Sequence, residues 1–393
     1  MPNLNAVVTV ISGAEIYTPH HIFPTGRLVM ADGHIAALGD LSEVPVPGDA
    51  RELDAEGLII APGFIDTHIH GGAGYDFMDD DPEALPTISR HVARYGTTSF
   101  VATTMAAPPE ETRRVLRVIQ AAMTTDLGGA AALGVHLASP YLSPERKGAQ
   151  PERHFRKPDL DQCRRLLQGY MDTVRICTLA PELPGALEIV SWLNKRGIVA
   201  SLGHSDATYE QAEAAVEAGL TRATHFFNAM RALSHRDPGA AGALLTDTRV
   251  HLELIADMHH VHPAALQLAI NTKGSAGIVL VSDAMRATGL PDGEYELGGQ
   301  TVRTKEGEAR LGDGTLAGSL LTLDVAIRNL ISWVGMTLQQ ALTMATATPA
   351  RFLRMRGRKG TLEPGADADL VLLNRNFQVI ATFVAGIEVY RKA

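Results

Sequence analysis

Short apolar runs alternate with amphipathic segments through the middle of the chain. Eight of these runs have the length of buried strands; they lie at 64–68, 97–102, 131–137, 174–178, 198–202, 222–225, 251–255 and 278–281. Helical spacing of apolar residues occurs between most of them, at 110–123, 160–171, 186–195, 209–218 and 264–271. Eight strands with intervening helices predict a (β/α)8 barrel, a TIM-like α/β fold, with a doubly wound open sheet as the alternative.

Both ends of the chain have a different pattern, in which short β-type runs are separated by Gly, Pro and Asp. These runs lie at 7–11, 27–30, 34–38, 58–60, 369–373, 379–384 and 388–390. Neither end alone has enough strands for a stable sheet. We therefore predict one small β-sandwich domain built from residues 1–60 and 355–393, and a barrel domain at 61–354. Residues 361–370 would form the strand that re-enters the small domain.

Composition narrows the class of protein. The chain has 393 residues, 45% of them hydrophobic, with a net charge of -9. This charge argues against nucleic acid as a partner and against a basic membrane-binding patch, while an anionic small substrate stays possible. Cys163 and Cys177 do not form a disulfide framework or a metal motif. The first residues lack the pattern of a signal peptide, and no apolar stretch reaches the ~18 residues of a membrane span. We predict a cytoplasmic location.

Two histidines one residue apart end the first predicted barrel strand. Side chains at positions i and i+2 of a strand share a face, so His68 and His70 can direct two imidazoles to one point. Gly71 and Gly72 follow and allow the backbone to turn there. Two such imidazoles are half of a metal site. In a chain with 15 histidines an isolated pair is often a coincidence, so the pattern needs distant partners.

Three further polar residues follow other predicted strands. His204 lies just past the fifth strand, His225 ends the sixth, and Asp283 ends the eighth. All three would lie at the C-terminal rim of a barrel, where barrel enzymes keep their active sites. Each residue alone could be a histidine bonded to a backbone carbonyl, or an aspartate that caps a turn. Together with the first histidine pair they predict a metal-dependent active site.

Several longer motifs resemble one known family. They are Pro-Gly-Phe-Ile-Asp-Thr-His-Ile-His at 62–70, Leu-Ala-Pro-Glu at 179–182, Gly-His-Ser at 203–205, His-Phe-Phe-Asn-Ala-Met at 225–230, Ser-Asp-Ala-Met at 282–285 and Leu-Ala-Gly-Ser at 316–319. The sequence resembles the amidohydrolase superfamily and, within it, the N-acetylglucosamine-6-phosphate deacetylases. The His-x-His pair alone supports only the superfamily, whereas the Phe-Asn-Ala-Met and Ala-Gly-Ser runs point to the deacetylases.

The resemblance implies a role for each matching residue. The implied metal ligands are His68, His70, His204, His225 and Asp283, and Asp283 is also the implied general acid/base. The implied sugar and phosphate contacts are Ala149, Asn228, Ala229, Arg236, His260, Leu316, Ala317 and Gly318. The resemblance further implies a homodimer in which His260 reaches into the site of the neighbouring subunit. A surface ion pair is the alternative for Arg236, and Glu182 could cap a turn or lie near the site.

Two positions depart from the family pattern. The third strand of the family normally ends His-Leu-Glu-Gly-Pro, and its glutamate is a metal ligand. Here residues 136–140 read His-Leu-Ala-Ser-Pro, so Ala138 stands where the carboxylate is expected. Met258 stands where the family usually has glycine. Alanine cannot bind a metal, so two alternatives follow. The site could keep one ion, held by the first histidine pair, Asp283 and a third histidine, preferably His204. Otherwise the site would often be empty. We favour one ion.

The predicted activity is hydrolysis of N-acetylglucosamine 6-phosphate to glucosamine 6-phosphate and acetate by a metal-activated water, at a full or attenuated rate. Zinc is the expected metal, with iron, cobalt or manganese as alternatives and one or two ions bound. Another amidohydrolase reaction on an amide or cyclic amide is a second interpretation, and it would dispense with the phosphate contacts. A catalytically silent protein that binds a sugar phosphate is a third interpretation.

Overall fold

The computed structural model describes residues 8–393. Residues 1–7 lie outside the described residues. They include the N-terminal residues compared with a signal peptide and the first residue of the strand predicted at 7–11. The strands of the described part are, in chain order, β1 (Thr9–Tyr17), β2 (Ile22–Ala31), β3 (His34–Asp40), β4 (Arg51–Asp54), β5 (Ile59–Pro62), β6 (Phe64–Ile69), β7 (Gly71–Gly72), β8 (Tyr75–Asp76), β9 (Thr97–Thr103), β10 (Ala131–Leu137), β11 (Val174–Leu179), β12 (Val199–Leu202), β13 (Arg222–Ala223), β14 (His251–Leu254), β15 (Ile278–Leu280), β16 (Glu294–Leu297), β17 (Gln300–Lys305), β18 (Glu308–Leu311), β19 (Leu370–Leu373), β20 (Val379–Val384) and β21 (Ile387–Arg391).

Helices fill most of the intervals between the strands of the middle region. In chain order they are α1 (Ala84–Ala93), α2 (Pro109–Ala122), α3 (Leu160–Leu167), α4 (Ala186–Asn194), α5 (Tyr209–Glu217), α6 (Gly239–Thr246), α7 (Pro263–Lys273), α8 (Leu323–Val334), α9 (Leu338–Ala345) and α10 (Ala347–Phe352). Short 3-10 turns lie at Pro144–Arg146, Glu152–His154 and Ser275–Gly277. Among residues 8–393, no helix is both long enough and apolar enough to cross a bilayer.

Eight parallel strands form the central barrel. β6 and β9 to β15 are hydrogen-bonded neighbours in chain order, which confirms the predicted (β/α)8 architecture. Residues of both faces are buried in strands such as β6 and β9, as expected for parallel strands covered by helices. Local signals start several helices: the Thr208 hydroxyl accepts a hydrogen bond from the Gln211 N–H at the start of α5, and the Gln211 side chain accepts one from the Thr208 N–H.

The two ends of the barrel sheet meet beside the predicted histidine pair. The backbone N–H of Asp283 donates to the carbonyl of His68 over 2.8 Å, and the N–H of His70 donates to the carbonyl of Ala284 over 2.8 Å. His68 lies in β6 and His70 directly after it, whereas Asp283 and Ala284 follow β15. These bonds bring the segment after the eighth strand against the first strand, at the C-terminal rim.

A second sheet contains strands from both ends of the chain. Its order is β21-β20-β19-β5-β1-β2-β3, with β4 paired to β1. This confirms the prediction of a β-unit shared by the two ends, whereas the boundaries at residues 60 and 355 stay a prediction. The predicted strand at 361–370 is wrong, because β19 begins only at Leu370. Pro364 has no N–H to donate and Gly365 has a φ of 89°, so this part of the segment turns rather than pairs.

A three-stranded antiparallel sheet was not predicted from the sequence. It consists of β16, β17 and β18 and follows the eighth barrel strand. Its inward residues include Leu297, Val302 and Ala309, which pack against Met105 and Met285 from the barrel rim. Burial alternates along β17, but Val302 is the single apolar residue of this strand, so the sequence has no period-2 hydrophobic signal there. The sheet covers part of the rim where the predicted site lies.

A buried ion pair precedes the C-terminal strands of the shared sheet, and we expect it to be important for stability. Lys359 is 8% exposed, and its ammonium lies 3.1 Å from Asp367 and contacts Asp369, which is 3% exposed. Changing Lys359 to Met leaves these carboxylates without their buried counter-ion, so we expect the free energy of unfolding to fall by about 3 kcal/mol. Urea unfolding followed by circular dichroism measures this change.

Arg375→Met is the matched control, because Arg375 forms an exposed ion pair with Glu15. Exposed pairs contribute about 1 kcal/mol or less, so its unfolding curve should stay close to that of the parent protein. Equal effects of the Lys359→Met and Arg375→Met substitutions would contradict the assignment of a stabilising buried pair.

Candidate metal centre and substrate cavity

A cavity of about 440 Å³ opens at the C-terminal rim of the barrel. Most of the residues singled out from the sequence line it: His68, His70, Ala149, His204, His225, Asn228, Ala229, His260, Asp283, Leu316 and Gly318. The size falls within the range of small-molecule sites, which is roughly 300–1,000 Å³. Residues from many separate barrel strands and loops therefore meet in one concave site, as barrel topology requires.

The first histidine pair and Asp283 form one compact group. Nε2 of His68 lies 3.3 Å from Oδ1 of Asp283, and Nε2 of His70 lies 3.2 Å from the same oxygen. One ligand atom from each residue lies within 4.8 Å of the others, and all three side chains are buried. Two imidazoles and a carboxylate that converge in this way are a donor set suited to a divalent cation.

The other two histidines form a second pair on the same cavity wall. Nε2 of His204 and Nε2 of His225 are 3.0 Å apart. Nδ1 of His204 lies 3.0 Å from the carbonyl of Arg146, which can only accept, so Nδ1 carries the proton. The lone pair on Nε2 then accepts from the Nε2–H of His225 and is available to a metal that displaces this proton. Burial lowers the pKa of His204 to about 3 and that of His225 to about 4. Both rings are therefore neutral near pH 7, as metal ligands must be.

Asp283 stays ionised despite its burial. Burial alone raises the pKa of a carboxyl group, but the charge of His68 and the hydrogen bond and charge of His70 outweigh it and hold the pKa of Asp283 well below its usual range. An anionic oxygen beside two imidazole rings, which can lose their protons to a metal, fits a divalent cation. The chain thus has groups that can hold such an ion, and this is consistent with the predicted metal site.

Three of these residues have a left-handed backbone, which is uncommon outside glycine. The φ angles are 49° at His204, 31° at His225 and 52° at Asp283. Such a conformation costs a residue with a Cβ on the order of 1–2 kcal/mol. Hydrogen bonds hold the strained turn at Asp283, whose carbonyl accepts from the Ser319 N–H over 2.7 Å. The turn at His225 also explains why β13 ends at Ala223, before the predicted strand end at residue 225.

Ala138 follows the last residue of β10 and is 2% exposed. Its methyl group cannot bind a metal. The possible metal ligands of the cavity therefore form two groups. The first contains two histidines and the Asp283 carboxylate. The second is the pair of His204 and His225, to which residue 138 adds no carboxylate. That a single ion recruits His204 as its third histidine stays a prediction.

Of the two residues predicted to bind the phosphate, His260 lies in the cavity wall and Arg236 lies on the exposed surface. His260 lines the cavity of its own chain, so this chain needs no second subunit to supply that residue. Its Nδ1 lies 2.6 Å from a carboxylate oxygen of Asp257, which positions the ring. Arg236 is exposed and is not part of the cavity lining. Ala317 also lies outside the lining; it is fully buried between two residues that do line the cavity.

Two arginines in the cavity wall, Arg146 and Arg310, were not predicted from the sequence. Arg146 donates through Nε to Asp206 over 2.8 Å, and Arg310 forms a two-point ion pair with Glu308. Neither arginine belongs to one of the motifs quoted above, so neither was singled out by a sequence signal. Glu182 lies behind the wall and accepts hydrogen bonds from the Ser205 hydroxyl and the Asp206 N–H. It therefore holds the loop that follows His204.

Comparisons with known proteins agree with this geometry. A profile described as "Amidohydrolase family" matches residues 59–389. The chain is 42% identical to the N-acetylgalactosamine-6-phosphate deacetylase of Escherichia coli O157:H7, covering 96% of this chain and 98% of that protein. It is 41% identical to the N-acetylglucosamine-6-phosphate deacetylase of Vibrio furnissii, covering 85% of this chain and 84% of that protein.

A solved structure extends the similarity to the fold. A mutant of the N-acetyl-D-glucosamine-6-phosphate deacetylase from Mycobacterium smegmatis, in complex with N-acetyl-D-glucosamine-6-phosphate, superposes with a TM-score of 0.90. The two chains are 35% identical, and the match covers 98% of this chain and 99% of that one.

The missing carboxylate at residue 138 predicts a gain of metal affinity when it is restored. Ala138→Glu places an anionic ligand at the C-terminal end of β10, so we expect zinc to bind about tenfold more tightly or in a higher stoichiometry. Competition with a chromophoric chelator on dialysed protein measures the affinity. Ala138→Gln has nearly the same size without the charge, and an equal gain in that variant would contradict the ligand role.

Proposed function

Because the chain belongs to the amidohydrolase family, we propose that it hydrolyses the acetamide of N-acetylglucosamine 6-phosphate to glucosamine 6-phosphate and acetate. The observation that carries the proposal is the position of ionised Asp283 between His68 and His70, inside a cavity large enough for a phosphorylated sugar. The names of the relatives supply the substrate class, and the site supplies groups suited to amide hydrolysis.

A divalent cation would be held by His68, His70 and Asp283, with one histidine of the second pair completing the set. When bound, it would make a nearby water more acidic and polarise the acetamide carbonyl. We propose a single zinc ion, since Ala138 leaves the second histidine pair without its carboxylate. Iron, cobalt and manganese suit the same donors on chemical grounds.

Asp283 would move the proton in the reaction. Its carboxylate is ionised and fixed by backbone hydrogen bonds on both sides, so it can accept a proton from the attacking water. It would then deliver this proton to the nitrogen of the departing amine. The same group would thus serve first as base and then as acid.

The sugar phosphate would lie at the end of the cavity formed by His260, Asn228 and Ala229. Burial lowers the pKa of His260, but the hydrogen bond and charge of Asp257 outweigh it and raise the pKa above its usual value. The protonated ring would have its second N–H free for a phosphate oxygen. Holding the phosphate there would orient the amide over the catalytic groups, so that remote binding energy assists the reaction. Ala149, Leu316 and Gly318 would form the walls around the sugar.

Arg236 needs a different explanation because it lies outside this cavity. It belongs to the exposed segment 232–237. We propose a homodimer in which Arg236, rather than His260, reaches the phosphate in the cavity of the second copy. Cys163 and Cys177 are free and buried, which supports a reducing, cytoplasmic location.

N-acetylgalactosamine 6-phosphate is a second candidate substrate. The relative from Escherichia coli O157:H7 is a deacetylase of that sugar, and it matches nearly the full length of this chain. The two sugars differ only in the orientation of one hydroxyl group. The proposed roles of the catalytic and phosphate-binding residues are therefore the same for both.

Acetate release by the zinc-loaded protein tests the proposal directly. We expect turnover with the phosphorylated N-acetylhexosamines and a higher kcat/KM for the glucose epimer. Asp283→Asn should lower kcat by roughly 10²–10⁴, because the amide cannot accept the proton. A preference for the galactose epimer would favour the second candidate. Turnover of unphosphorylated amides at the same rate would favour another amidohydrolase reaction, and binding without turnover would favour a silent sugar-phosphate-binding protein.

The phosphate contact predicts a substitution with selective kinetics. His260→Gln should lower kcat/KM for the phosphorylated sugar by about 10- to 100-fold, the worth of one hydrogen bond to a charged group. The reaction of the unphosphorylated sugar, which cannot make this contact, should not change. His262→Gln is the matched control, because His262 caps the start of α7 outside the cavity lining. Equal losses with both sugars would show that His260 has no role in phosphate binding.

A further inference from the structure

Glu253 lies below the candidate metal centre, inside the barrel, and takes no part in the proposed reaction. It belongs to β14 and is fully buried. Its Oε2 lies 2.8 Å from Nδ1 of His68 and accepts a hydrogen bond from the backbone N–H of His225 over 3.0 Å. Its Oε1 forms an ion pair with Arg222, which is also fully buried. One carboxylate thus contacts two of the candidate metal ligands, on different strands.

We propose that Glu253 is a positioning residue that fixes the tautomer and ring orientation of His68 and the backbone of His225 for metal binding. This proposal adds to the function proposed above. It depends on that function only in assuming that the site binds a metal. Glu253 does not touch the substrate cavity, since it is absent from the cavity lining. It would act through the two histidines alone.

The donor and acceptor inventory supports this role. A carboxylate paired with Arg222 can only accept hydrogen bonds, so Nδ1 of His68 must carry the proton of the 2.8 Å contact. When His68 binds a metal, its ring must be neutral, and with the proton held on Nδ1 the lone pair lies on Nε2. Nε2 is the atom that lies 3.3 Å from Asp283, on the side of the candidate metal centre. The contact with Glu253 therefore selects the tautomer that can bind a metal there.

A second cation site is a weaker explanation of the same residues. His68, His136 and Glu253 also have ligand atoms within 4.8 Å of one another. However, the guanidinium of Arg222 already occupies one carboxylate oxygen, and Nε2 of His136 contacts the Thr178 hydroxyl over 2.7 Å. A cation in that position would lie close to a buried arginine without water to screen the repulsion.

The burial of this ion pair also calls for a functional explanation. Arg222 and Glu253 are both 0% exposed, and the Arg222 guanidinium lies 4.7 Å from the centre of the Phe352 ring. A buried ion pair is often no more stabilising than apolar residues of similar volume. Positioning His68 as a metal ligand would be a functional reason for burying the Arg222–Glu253 ion pair. Groups that orient metal ligands typically change metal affinity by about 10- to 100-fold.

Zinc affinity of the dialysed protein, measured by competition with a chromophoric chelator, tests the proposal without relying on activity. Glu253→Gln keeps the side-chain size but removes the charge, and its amide can donate as well as accept. We expect zinc to bind about 10- to 100-fold more weakly than to the parent protein. In the zinc-loaded parent protein, 15N spectra should show the Nδ1–H of His68 in its hydrogen bond to Glu253, and this signal should shift in the variant.

Two further variants separate positioning from folding. The double variant Glu253→Gln with Arg222→Met removes both charges of this ion pair, and it should keep the weak zinc binding. Thr178→Val is the control for a general disturbance of the barrel interior. Thr178 is fully buried like Glu253, but it contacts His136 rather than His68. This substitution should leave the zinc affinity within about twofold of the parent value.

The outcomes are distinct. Zinc affinity within about threefold of the parent protein in both Glu253 variants would overturn the proposal. So would an equal loss of affinity in Thr178→Val. Weak zinc binding in both Glu253 variants, together with a parent protein that binds zinc but releases no acetate, would support the positioning role while refuting the proposed function.

Discussion

Closure of the barrel between its first and last strands is the constraint on which the site depends. Hydrogen bonds from the Asp283 N–H to His68 and from the His70 N–H to Ala284 set the register of the two strand ends. Neighbouring strand residues face opposite sides, so a shift by one residue would turn His68 and His70 away from Asp283. The same bonds hold the left-handed turn at Asp283, whose φ is 52°. Backbone pairing therefore places the candidate base and two candidate ligands within contact distance.

The interior below the rim is unusually polar for a barrel of this kind. Serine, threonine, histidine, glutamate and arginine side chains fill positions that branched apolar residues usually occupy. The Thr224 hydroxyl contacts the hydroxyls of Thr178 and Ser201 over 2.7 Å and 2.6 Å. Such a network is costly unless its groups are paired, but it fixes side chains more strictly than apolar packing does. The histidines at the rim therefore rest on oriented hydrogen-bonding groups.

The strands that depend on local patterns could be predicted from the sequence, and so could most of the residues that line the cavity. The eight barrel strands and the family motifs around His68, His204 and Asp283 could be predicted because each is continuous along the chain. The position of His260 in the cavity of its own chain could not be predicted, since it depends on the path of the loop after β14. Glu253 was missed for a related reason: a single glutamate in a strand has no motif, and only the folded barrel places it beside His68, 185 residues away in sequence.

The two departures from the family pattern have different physical consequences. Met258 has a φ of 70°, which explains why glycine suits the position and why methionine there costs on the order of 1 kcal/mol. The preceding Asp257 accepts hydrogen bonds from the N–H groups of His259 and His260, so the turn forms despite this cost and His260 still lines the cavity. We therefore expect Met258 to lower stability while His260 keeps its place in the cavity wall. Ala138 has the opposite effect, because an alanine at the end of a buried strand packs without strain and removes a negative charge from the metal site. The affinity of the remaining groups for a cation then depends on Asp283 and on how well the histidines are held.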